Sequence, residues 1–320
     1  MPPHQDLRRT FVIFNPASGR GRGARQIDRF LGPLKKYFPD FEYAVTKRPG
    51  EESLIADQAI SEGRFNFIVA VGGDGTWSNV ADRVIGSGLG DVAFGFLASG
   101  TGNDFARNFR SFGKNTVAAV GALAKGRDVL VDVGRVATAG TPVRANADPL
   151  PAKGRHFLNL IGFGFDVSVI EDSLGIKFLP ATLLYKAVAL KNLCSLPGTA
   201  LKFTSDKNEI KERHLMLTVS NGPFFGGGLP IAPAANITDG LLDVCAIRDV
   251  SPIKRLKLFY MAGNGKHVKS QFVHTGQGKH FKVGFDKPPK YELDGEVWQA
   301  HGPEVAIEVI PQALRMIVPR

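Results

Sequence analysis

The chain has few of the residues that build disulfide frameworks or zinc sites. It contains two cysteines, Cys194 and Cys245, which lie far apart and belong to no Cys/His cluster with metal-ligand spacing. This argues against zinc, and both thiols are expected to be buried. The first residues also lack a secretory apolar region, so the expected compartment is the cytoplasm.

Long apolar runs are missing, and acidic residues are outnumbered. No stretch approaches the roughly 18 uncharged apolar residues of a membrane-spanning helix, so no transmembrane segment is expected. The 320 residues include 40 Lys/Arg against 30 Asp/Glu, a formal net charge of +10. The excess lies in residues 1–50 and 251–290 and favours anionic partners, either phosphate groups or an acidic membrane. Neither segment alternates with aromatic residues, so specific nucleic-acid binding is not expected.

What the chain does contain is a change of pattern near residue 130. Before it, short apolar strands alternate with helical segments, which predicts an α/β domain with a parallel sheet. After it, strands follow one another with few helices, which predicts an antiparallel β-sandwich domain. We therefore expect one domain over residues 1–130 and a β-rich domain over 131–304, with residues 305–320 a candidate for packing back on the first.

Three glycine-rich turns follow predicted strands of the first domain, at 15–21, 72–76 and 99–104. Ligands of α/β sheets bind at the carboxyl ends of the strands, so these turns should line one crevice. Glycines in the second turn let backbone N–H groups approach phosphate oxygens, and Thr76 adds a hydroxyl donor. The chain has no GxxxxGK[ST] sequence and no dinucleotide fingerprint, which argues against a P-loop enzyme and against hydride transfer.

Several motifs resemble the diacylglycerol kinase catalytic-domain family, which includes bacterial lipid kinases and sphingosine kinases. They are FNPASGRGRG at 14–23, GGDGT at 72–76, GTGNDFAR at 100–107, FLNLIGFGFD at 157–166, SNGPFFGGGLPIAPAANITDGLLDV at 220–244 and LDGE at 293–296. The resemblance implies that the first domain is NAD kinase/phosphofructokinase-like and binds nucleotide, and that the second receives the lipid. It also implies an ATP- and Mg²⁺-dependent kinase acting on a hydroxyl of a diacylglycerol- or sphingoid-like lipid.

The same resemblance implies roles for individual residues. Phosphoryl transfer needs positioning, charge neutralisation and a base, and Glu296 takes the place of the family's catalytic base, with Asp74 as the second catalytic residue. The residues expected to bind nucleotide are Asn15, Thr46, Gly72, Gly73, Asp74, Gly75, Thr76, Thr101, Asn103 and Asp294. The implied metal ligands are Asp104, together with Asn236, Asp239 and Leu241 of a second magnesium site in which the first and last offer main-chain carbonyls.

One stretch departs from the family pattern, and two others concern the acceptor. The family usually follows GGDGT with an Asn-Glu pair, whereas this chain has Trp77-Ser78-Asn79, so an acidic group near the phosphate loop is missing.

Residues 176–196 have the pattern of an amphipathic helix, with Leu190 and Leu193 on one face, suited to core packing or to membrane contact. The basic residues of 254–257 and 266–269 would attract an anionic bilayer, so peripheral membrane association is expected.

Three other functions stay open at this point. A kinase of a soluble acceptor such as NAD is favoured by GGDGT and disfavoured by the later motifs. A nucleotide- or lipid-binding regulator without catalysis has support only in residues 77–79, and the presence of Asp74, Asp104 and Glu296 argues against it. A nucleic-acid binder rests on charge alone. The acceptor could be diacylglycerol, a sphingoid base, ceramide or another glycerolipid, and a homodimer is compatible with the sequence.

Overall fold

The computed structural model describes residues 8–100, 102–109, 115–138, 140–142, 154–173, 181–206 and 209–320, with side chains except at 20–26, 141–142 and 181–186. These residues form two compact units. The first contains the chain up to Val133 with Gly226–Gly228 and Pro311–Arg320. The second contains Gly134–Phe225 and Leu229–Ile310.

The elements of the first half are, in chain order, β1 (Thr10–Phe14), α1 (Ser18–Tyr37), β2 (Glu42–Val45), α2 (Glu51–Ser61), β3 (Phe67–Gly72), α3 (Asp74–Gly86), β4 (Ala93–Ala98), α4 (Thr116–Ala124), β5 (Arg127–Val136), β6 (Gly140–Pro142), β7 (Arg155–Phe157), β8 (Leu160–Gly164) and α5 (Phe165–Ser173). Those of the second half are α6 (Ala181–Ser195), β9 (Thr199–Ser205), β10 (Glu209–Ser220), β11 (Phe224–Phe225), β12 (Leu229–Pro230), β13 (Leu242–Arg248), α7 (Pro252–Ala262), β14 (Val273–Gly278), β15 (His280–Gly284), β16 (Lys290–Leu293), β17 (Glu296–Ala300) and β18 (Glu304–Val318). Two short 3₁₀ helices, Phe105–Asn108 and Lys266–Lys269, complete the set for the described residues.

The first unit is a parallel sheet covered by helices on both faces. Its strand order is β2-β1-β3-β4, followed by the last residues of β18, and the registered pairs are parallel. Every residue of β3 is buried, as expected for a parallel strand with helices on both sides. Helices α1 and α4 share a buried cluster with β1 and β3. On the other face Trp77 of α3 packs against Phe96 of β4, with ring centroids 4.4 Å apart.

The second unit is built from antiparallel strands. Its order is β18-β15-β9-β10-β8-β16-β17-β6, with β13 and β14 added beside β10. Side chains alternate between two cores: Leu242 and Val244 of β13 point into a cluster formed between strands, whereas Cys245 and Ile247 pack beneath α5, α6 and α7. The predicted fold class, a parallel α/β domain and an antiparallel β-sandwich domain, is therefore confirmed.

Several elements differ from those predicted. Helix α3 begins at Asp74, so the last three residues of GGDGT form its first turn instead of a separate loop. Residues 157–161, the apolar start of the FLNLIGFGFD motif, do not form one strand, because Leu158 and Asn159 separate β7 from β8. Helices α4, α5 and α7 were not predicted. Helix α4 is apolar on nearly every face, so its sequence has no clear period.

Leu190 and Leu193 of α6, predicted to lie on one face suited to core packing or to membrane contact, differ in burial: Leu190 is exposed and Leu193 is buried. Residues 176–180 of the predicted helix lie outside the described residues. The prediction that both thiols are buried was wrong. Cys245 is buried, which raises the pKa of its thiol to about 12, but Cys194 is exposed. Within the described part of the chain, no helix is long and apolar enough to cross a membrane.

Candidate active site

The loops that follow β1, β3 and β4 are tied together at one edge of the first unit. The N–H groups of Ser99 and Gly100 donate to the carbonyl of Gly72, at 2.8 and 3.1 Å. The hydroxyls of Ser18 and Ser99 lie 2.7 Å apart. In a parallel sheet the carboxyl ends of the strands lie at the same edge, and these bonds bring the three predicted turns into direct contact there.

Asn15 joins the first loop to the first turn of α3. Its Nδ2 donates to Thr76 Oγ1 at 2.9 Å, and its Oδ1 accepts the N–H of Ala17 at 2.9 Å. Thr46 is buried at the end of β2 and donates its N–H to the carbonyl of Phe14, the last residue of β1. Three residues predicted to bind nucleotide therefore surround the ends of neighbouring strands.

Two glycines let the loops after β3 and β4 touch backbone to backbone. A Cβ on Gly100 would stand 2.7 Å from the Cα of Gly73, a clash with backbone that cannot move aside. A Cβ on Gly73 would stand 3.4 Å from the Cα of Gly100, which is tolerable, and Gly73 has an extended backbone that any residue can adopt. A helix leaves the N–H groups of its first turn without partners inside the helix, so the start of α3 beside these glycines is a natural anion-binding position.

The carboxylates of Asp74 and Asp104 both lie next to Gly102. A Cβ at Gly102 would lie 3.2 Å from Asp74 Oδ2 and 3.7 Å from Asp104 Oδ2. Asp74 Oδ1 accepts the N–H of Phe105 at 3.1 Å, which fixes its direction. Burial raises the pKa of Asp104, although the bond from Gly227 N–H and the charge of Arg107 act in the opposite direction.

The contacts of Asp104 identify two residues that the sequence analysis did not assign. Asp104 Oδ2 accepts the N–H of Gly227 at 2.8 Å, and its Oδ1 lies 3.4 Å from Arg107 Nε. Arg107 Nη2 in turn donates to the carbonyl of Gly227 at 3.3 Å. The three glycines at 226–228 have φ values of 60°, 88° and 109°, a left-handed run that side-chain-bearing residues disfavour. Arg107 and the three glycines lie in motifs quoted above, but the sequence does not show that they contact each other.

Asn103 also lies in this loop, with a φ of 52°. Its Nδ2 donates to the carbonyl of Gly100 at 3.2 Å, while its Oδ1 is buried and has no hydrogen-bond partner among the described residues. A buried acceptor without a partner is costly, and a ligand that donates a hydrogen bond would satisfy it. Thr101, the neighbouring residue expected to bind nucleotide, lies outside the described residues.

In the second unit, Asp294 and Gly295 form the two-residue turn between β16 and β17. Both have positive φ, 46° and 92°, as tight hairpin turns of the primed type require. Leu293 and Glu296 pair across this turn, so Glu296 is the first residue of β17 and is half-buried. The turn therefore holds the predicted catalytic base at a rigid position.

Asp294 anchors that turn to the break between β7 and β8. Its carboxylate accepts the N–H groups of Leu158, Asn159 and Leu160, at 2.7, 2.9 and 3.1 Å. The FLNLI and LDGE motifs therefore contact each other through the carboxylate of Asp294. The contacts of Asp294 are those of an anchoring residue, and the nucleotide-binding role expected for it stays a prediction.

Next to this hairpin the structure shows a buried pair of carboxyl groups that the sequence analysis did not single out. A Cβ at Gly162 would lie 1.5 Å from Asp166 Oδ2 and 3.3 Å from Glu292 Oε2, so the two oxygens are at most 4.8 Å apart. Glu292 accepts the N–H of Gly295 from the turn. Complete burial raises the pKa of Asp166 to about 7. The only sequence signal was the position of Asp166 at the end of FLNLIGFGFD.

The predicted second magnesium site is a compact exposed turn of the second unit. Asn236 Oδ1 accepts the N–H of Thr238 at 3.2 Å, and Asp239 Oδ1 accepts the N–H of Leu241 at 3.0 Å. Asp243 lies nearby: burial raises its pKa to about 6, and the charge of Asp239 adds to the rise. No cluster of three or more His, Cys, Asp or Glu residues suited to a metal occurs among the described residues, so carbonyl oxygens would have to complete the coordination here.

The departure at residues 77–79 is accommodated inside the first unit. Trp77 is buried against Phe96, and Asn79 Nδ2 donates to Glu52 Oε1 at 2.7 Å. Glu52 is itself buried on α2. A carboxylate beside this turn of α3 therefore comes from a different helix, and the stretch has a packing role.

The predicted site residues fall into three groups. The described members of the first unit are Asn15, Thr46, Gly72, Gly73, Asp74, Gly75, Thr76, Asn103 and Asp104, all at one edge of its sheet. Those of the second unit form the turn with Asn236, Asp239 and Leu241 and the hairpin with Asp294 and Glu296. Their individual roles stay predictions.

Two family models match the chain. "Diacylglycerol kinase catalytic domain" matches residues 9–136, and "YegS C-terminal NAD kinase beta sandwich-like domain" matches residues 159–318. A diacylglycerol kinase of Mycobacterium tuberculosis is 27% identical over 98% of this chain and 96% of its own length. A Xanthomonas euvesicatoria protein named as a probable YegS-like lipid kinase is 28% identical over 96% of this chain and 95% of its own length.

Solved structures agree with this assignment at the level of the fold. A crystal structure of a diacylglycerol kinase from Bacillus anthracis superposes with a TM-score of 0.68 at 19% identity, covering 97% of both chains. Since the two family models follow one another along the chain and the second alone spans half of it, the protein belongs to the diacylglycerol kinase family, with a YegS-type C-terminal domain.

Proposed function

We propose that the protein is a lipid kinase that transfers the γ-phosphoryl group of ATP, with Mg²⁺, to a hydroxyl of a diacylglycerol- or sphingoid-like lipid. The observation that carries the proposal is the edge of the first unit, where three glycine loops meet at the start of α3. Phosphate binding there needs no large side chain, because backbone N–H groups and the helix dipole supply the positive potential. The names of the relatives support a lipid acceptor.

On the nucleotide side, Gly73 and Thr76 are the proposed contacts of the phosphate oxygens, and Asn15 holds the Thr76 hydroxyl in position. The buried Oδ1 of Asn103 supplies an acceptor for a donor group of the nucleotide. Asn15 and Asn103 are fixed by hydrogen bonds within their own loops, and Thr76 is fixed by Asn15 from the neighbouring loop. Such preorganisation limits the reorganisation that phosphate binding would otherwise require.

Magnesium fits the donor set of this edge, because hard cations prefer carboxylate oxygens. Asp74 is the residue that would hold it, with Asp104, which also lies next to Gly102, acting through water. When bound, the ion would neutralise charge that develops on the transferred phosphoryl group. A second ion at Asp239, Asn236 and Leu241 would stabilise the turn they form.

The acceptor hydroxyl has a high pKa and must lose its proton as the new bond forms, which requires a base. Glu296 is the proposed base because its carboxylate stands at the start of a strand and directly after an anchored turn. A position on a rigid element favours precise proton abstraction. The acceptor domain is proposed to span residues 131–304, and the nucleotide domain 1–130.

The protein is further proposed to work in the cytoplasm at the surface of an anionic membrane, since diacylglycerol-like acceptors reside in bilayers. The formal charge of +10 supports that location. A homodimer is compatible with this arrangement and stays a prediction.

The test is a lipid-acceptor screen with purified protein, labelled ATP and Mg²⁺ in detergent micelles. Diacylglycerol, a sphingoid base and ceramide would be compared with NAD as a soluble acceptor, and Glu296→Gln would serve as the inactive control. Labelled lipid formed by the wild type and absent from the variant is the expected result. Labelled NADP with no labelled lipid would assign the soluble-acceptor function, and nucleotide binding without any turnover would assign a regulator.

A further inference from the structure

The outward face of helix α7 is apolar, the reverse of the usual pattern for a helix at a protein surface. Ile253 is 81% exposed, Tyr260 is 80% exposed and Leu256 is 37% exposed. At 3.6 residues per turn, the three positions fall within about 60° of arc around the helix axis. The residues on the covered side are Arg255, Leu258 and Ala262, all buried.

A buried arginine holds α7 in this orientation. Arg255 Nε donates to the carbonyl of Val250 at 2.8 Å, and its Nη1 donates to the carbonyls of Leu193 and Leu196, at 3.2 and 2.7 Å. Its Nη2 also pairs with Asp249. A buried guanidinium with four acceptors resists rotation of the helix, because breaking these bonds would leave a buried charge unpaired. The apolar residues are therefore directed outward by the fold.

The surroundings of this face are positively charged. Lys254 and Lys257 lie on the same helix and are exposed, and Lys266 and Lys269 follow shortly after it, also exposed. No aspartate or glutamate occurs between residues 250 and 285, and Asp249 is already paired with arginine. Exposed apolar side chains ringed by lysines match the chemistry of a bilayer with anionic headgroups, in which acyl chains lie beneath a layer of phosphate.

We propose that Ile253, Leu256 and Tyr260 of α7, flanked by Lys254 and Lys257, form the surface through which the protein docks on an anionic lipid bilayer. The apolar side chains enter the acyl boundary, the tyrosine hydroxyl stays at headgroup level, and the lysines contact lipid phosphates. The proposal rests on the proposed function, in which the bilayer supplies the acceptor. A protein partner is a weaker alternative, because three side chains that bury at most about 150–250 Å² each supply less than the roughly 800 Å² per partner of a stable protein interface.

The experiment is flotation of the purified full chain with vesicles of phosphatidylcholine containing phosphatidylglycerol, without nucleotide. Ile253→Ser/Tyr260→Ser should weaken vesicle binding by about tenfold or more, because each loses apolar area that would enter the bilayer. Lys254→Gln/Lys257→Gln should weaken binding about tenfold at low salt and leave any binding to pure phosphatidylcholine unchanged.

The matched controls are exposed residues of the first unit. Leu54→Ser removes an exposed apolar side chain from α2, and Lys35→Gln/Lys125→Gln removes two exposed lysines. These variants should bind vesicles like the wild type. All substituted side chains are exposed, although Lys254 Nζ also lies 4.7 Å from the centre of the Phe272 ring. Urea unfolding should therefore change by less than about 1 kcal/mol in every variant, which separates docking from folding.

Wild-type vesicle binding by both α7 double variants would overturn the proposal. So would a change of oligomeric state in Ile253→Ser/Tyr260→Ser with vesicle binding retained, since the face would then belong to a second copy of the chain. The kinase assay in detergent micelles separates this inference from the proposed function. Vesicle binding that depends on α7, without lipid phosphorylation in micelles, would refute the activity and leave the docking surface in place.

Discussion

Replacing Asp166 by asparagine should make the stability of the protein less dependent on pH. Asp166 is completely buried on α5, and burial raises the pKa of its carboxyl to about 7 from an ordinary value of 3.8. The carboxyl group of Glu292 lies within 4.8 Å of it. Two carboxylates this close in a buried setting favour retention of a proton between them.

The sign of the effect follows from the protons bound in each state. Between pH 3.8 and about 7, the folded protein keeps a proton on Asp166 that the unfolded chain has lost, so stability from this group falls as the pH rises. This contribution to stability is fully present below the pKa of Asp166 in the unfolded chain and is lost above its pKa in the folded protein. A difference of about three pKa units at 1.36 kcal/mol each gives a total near 4 kcal/mol, and about 3 kcal/mol of it falls between pH 5 and pH 8.

Asp166→Asn keeps the size of the side chain and an acceptor for the N–H of Val167, and it has no charge to bury. Relative to the wild type, the variant should gain about 3 kcal/mol in the free energy of unfolding when the pH is raised from 5 to 8. Urea titrations of both proteins at several pH values would measure this difference. Asp172→Asn, an exposed position on the same helix, should follow the wild type at every pH. A pH-independent difference between Asp166→Asn and the wild type would refute the reasoning.

Three further predictions test the proposed site. Gly73→Asp should abolish turnover in a folded protein because it places a carboxylate beside the phosphates, while Gly73→Ala should keep most activity, since its Cβ fits 3.4 Å from Gly100; an active Gly73→Asp variant would remove the phosphate-loop assignment. Glu296→Gln should lower kcat by about 10²-fold or more while ATP affinity, measured by calorimetry, changes less than about threefold, and an unchanged kcat would move the base role, with Asp74 the next candidate. Asp239→Asn should reduce the rise in melting temperature that Mg²⁺ produces, with Asp286→Asn as the control. A wild-type melting temperature that does not change when Mg²⁺ is added would exclude the structural metal.

Much of the fold could be predicted because it depends on local patterns. The continuous apolar run of β3 and the strand–helix alternation around it require a parallel sheet with helices on both faces, whatever the details of packing. The glycine turns follow from the same strands, since their positions at strand ends place them at one edge. The start of α3 at Asp74 was harder to predict, because glycine at position 75 disfavours a helix. The helix begins there because the preceding strand and the packing of Trp77 hold the chain in place.

By itself, the sequence determined the fold class, the family and the types of residue available for phosphate and metal binding, because these depend on composition, periodicity and short motifs. Only the tertiary structure decided which groups meet. Asp294 reaches the N–H groups of residues 158–160 across more than 130 positions, and Asp166 comes beside Glu292 in the same way. The outward direction of Ile253 and Tyr260 likewise depends on Arg255 binding carbonyls from another helix. Such contacts are set by distance in space and by the need to satisfy buried polar groups, neither of which leaves a periodic signal along the chain.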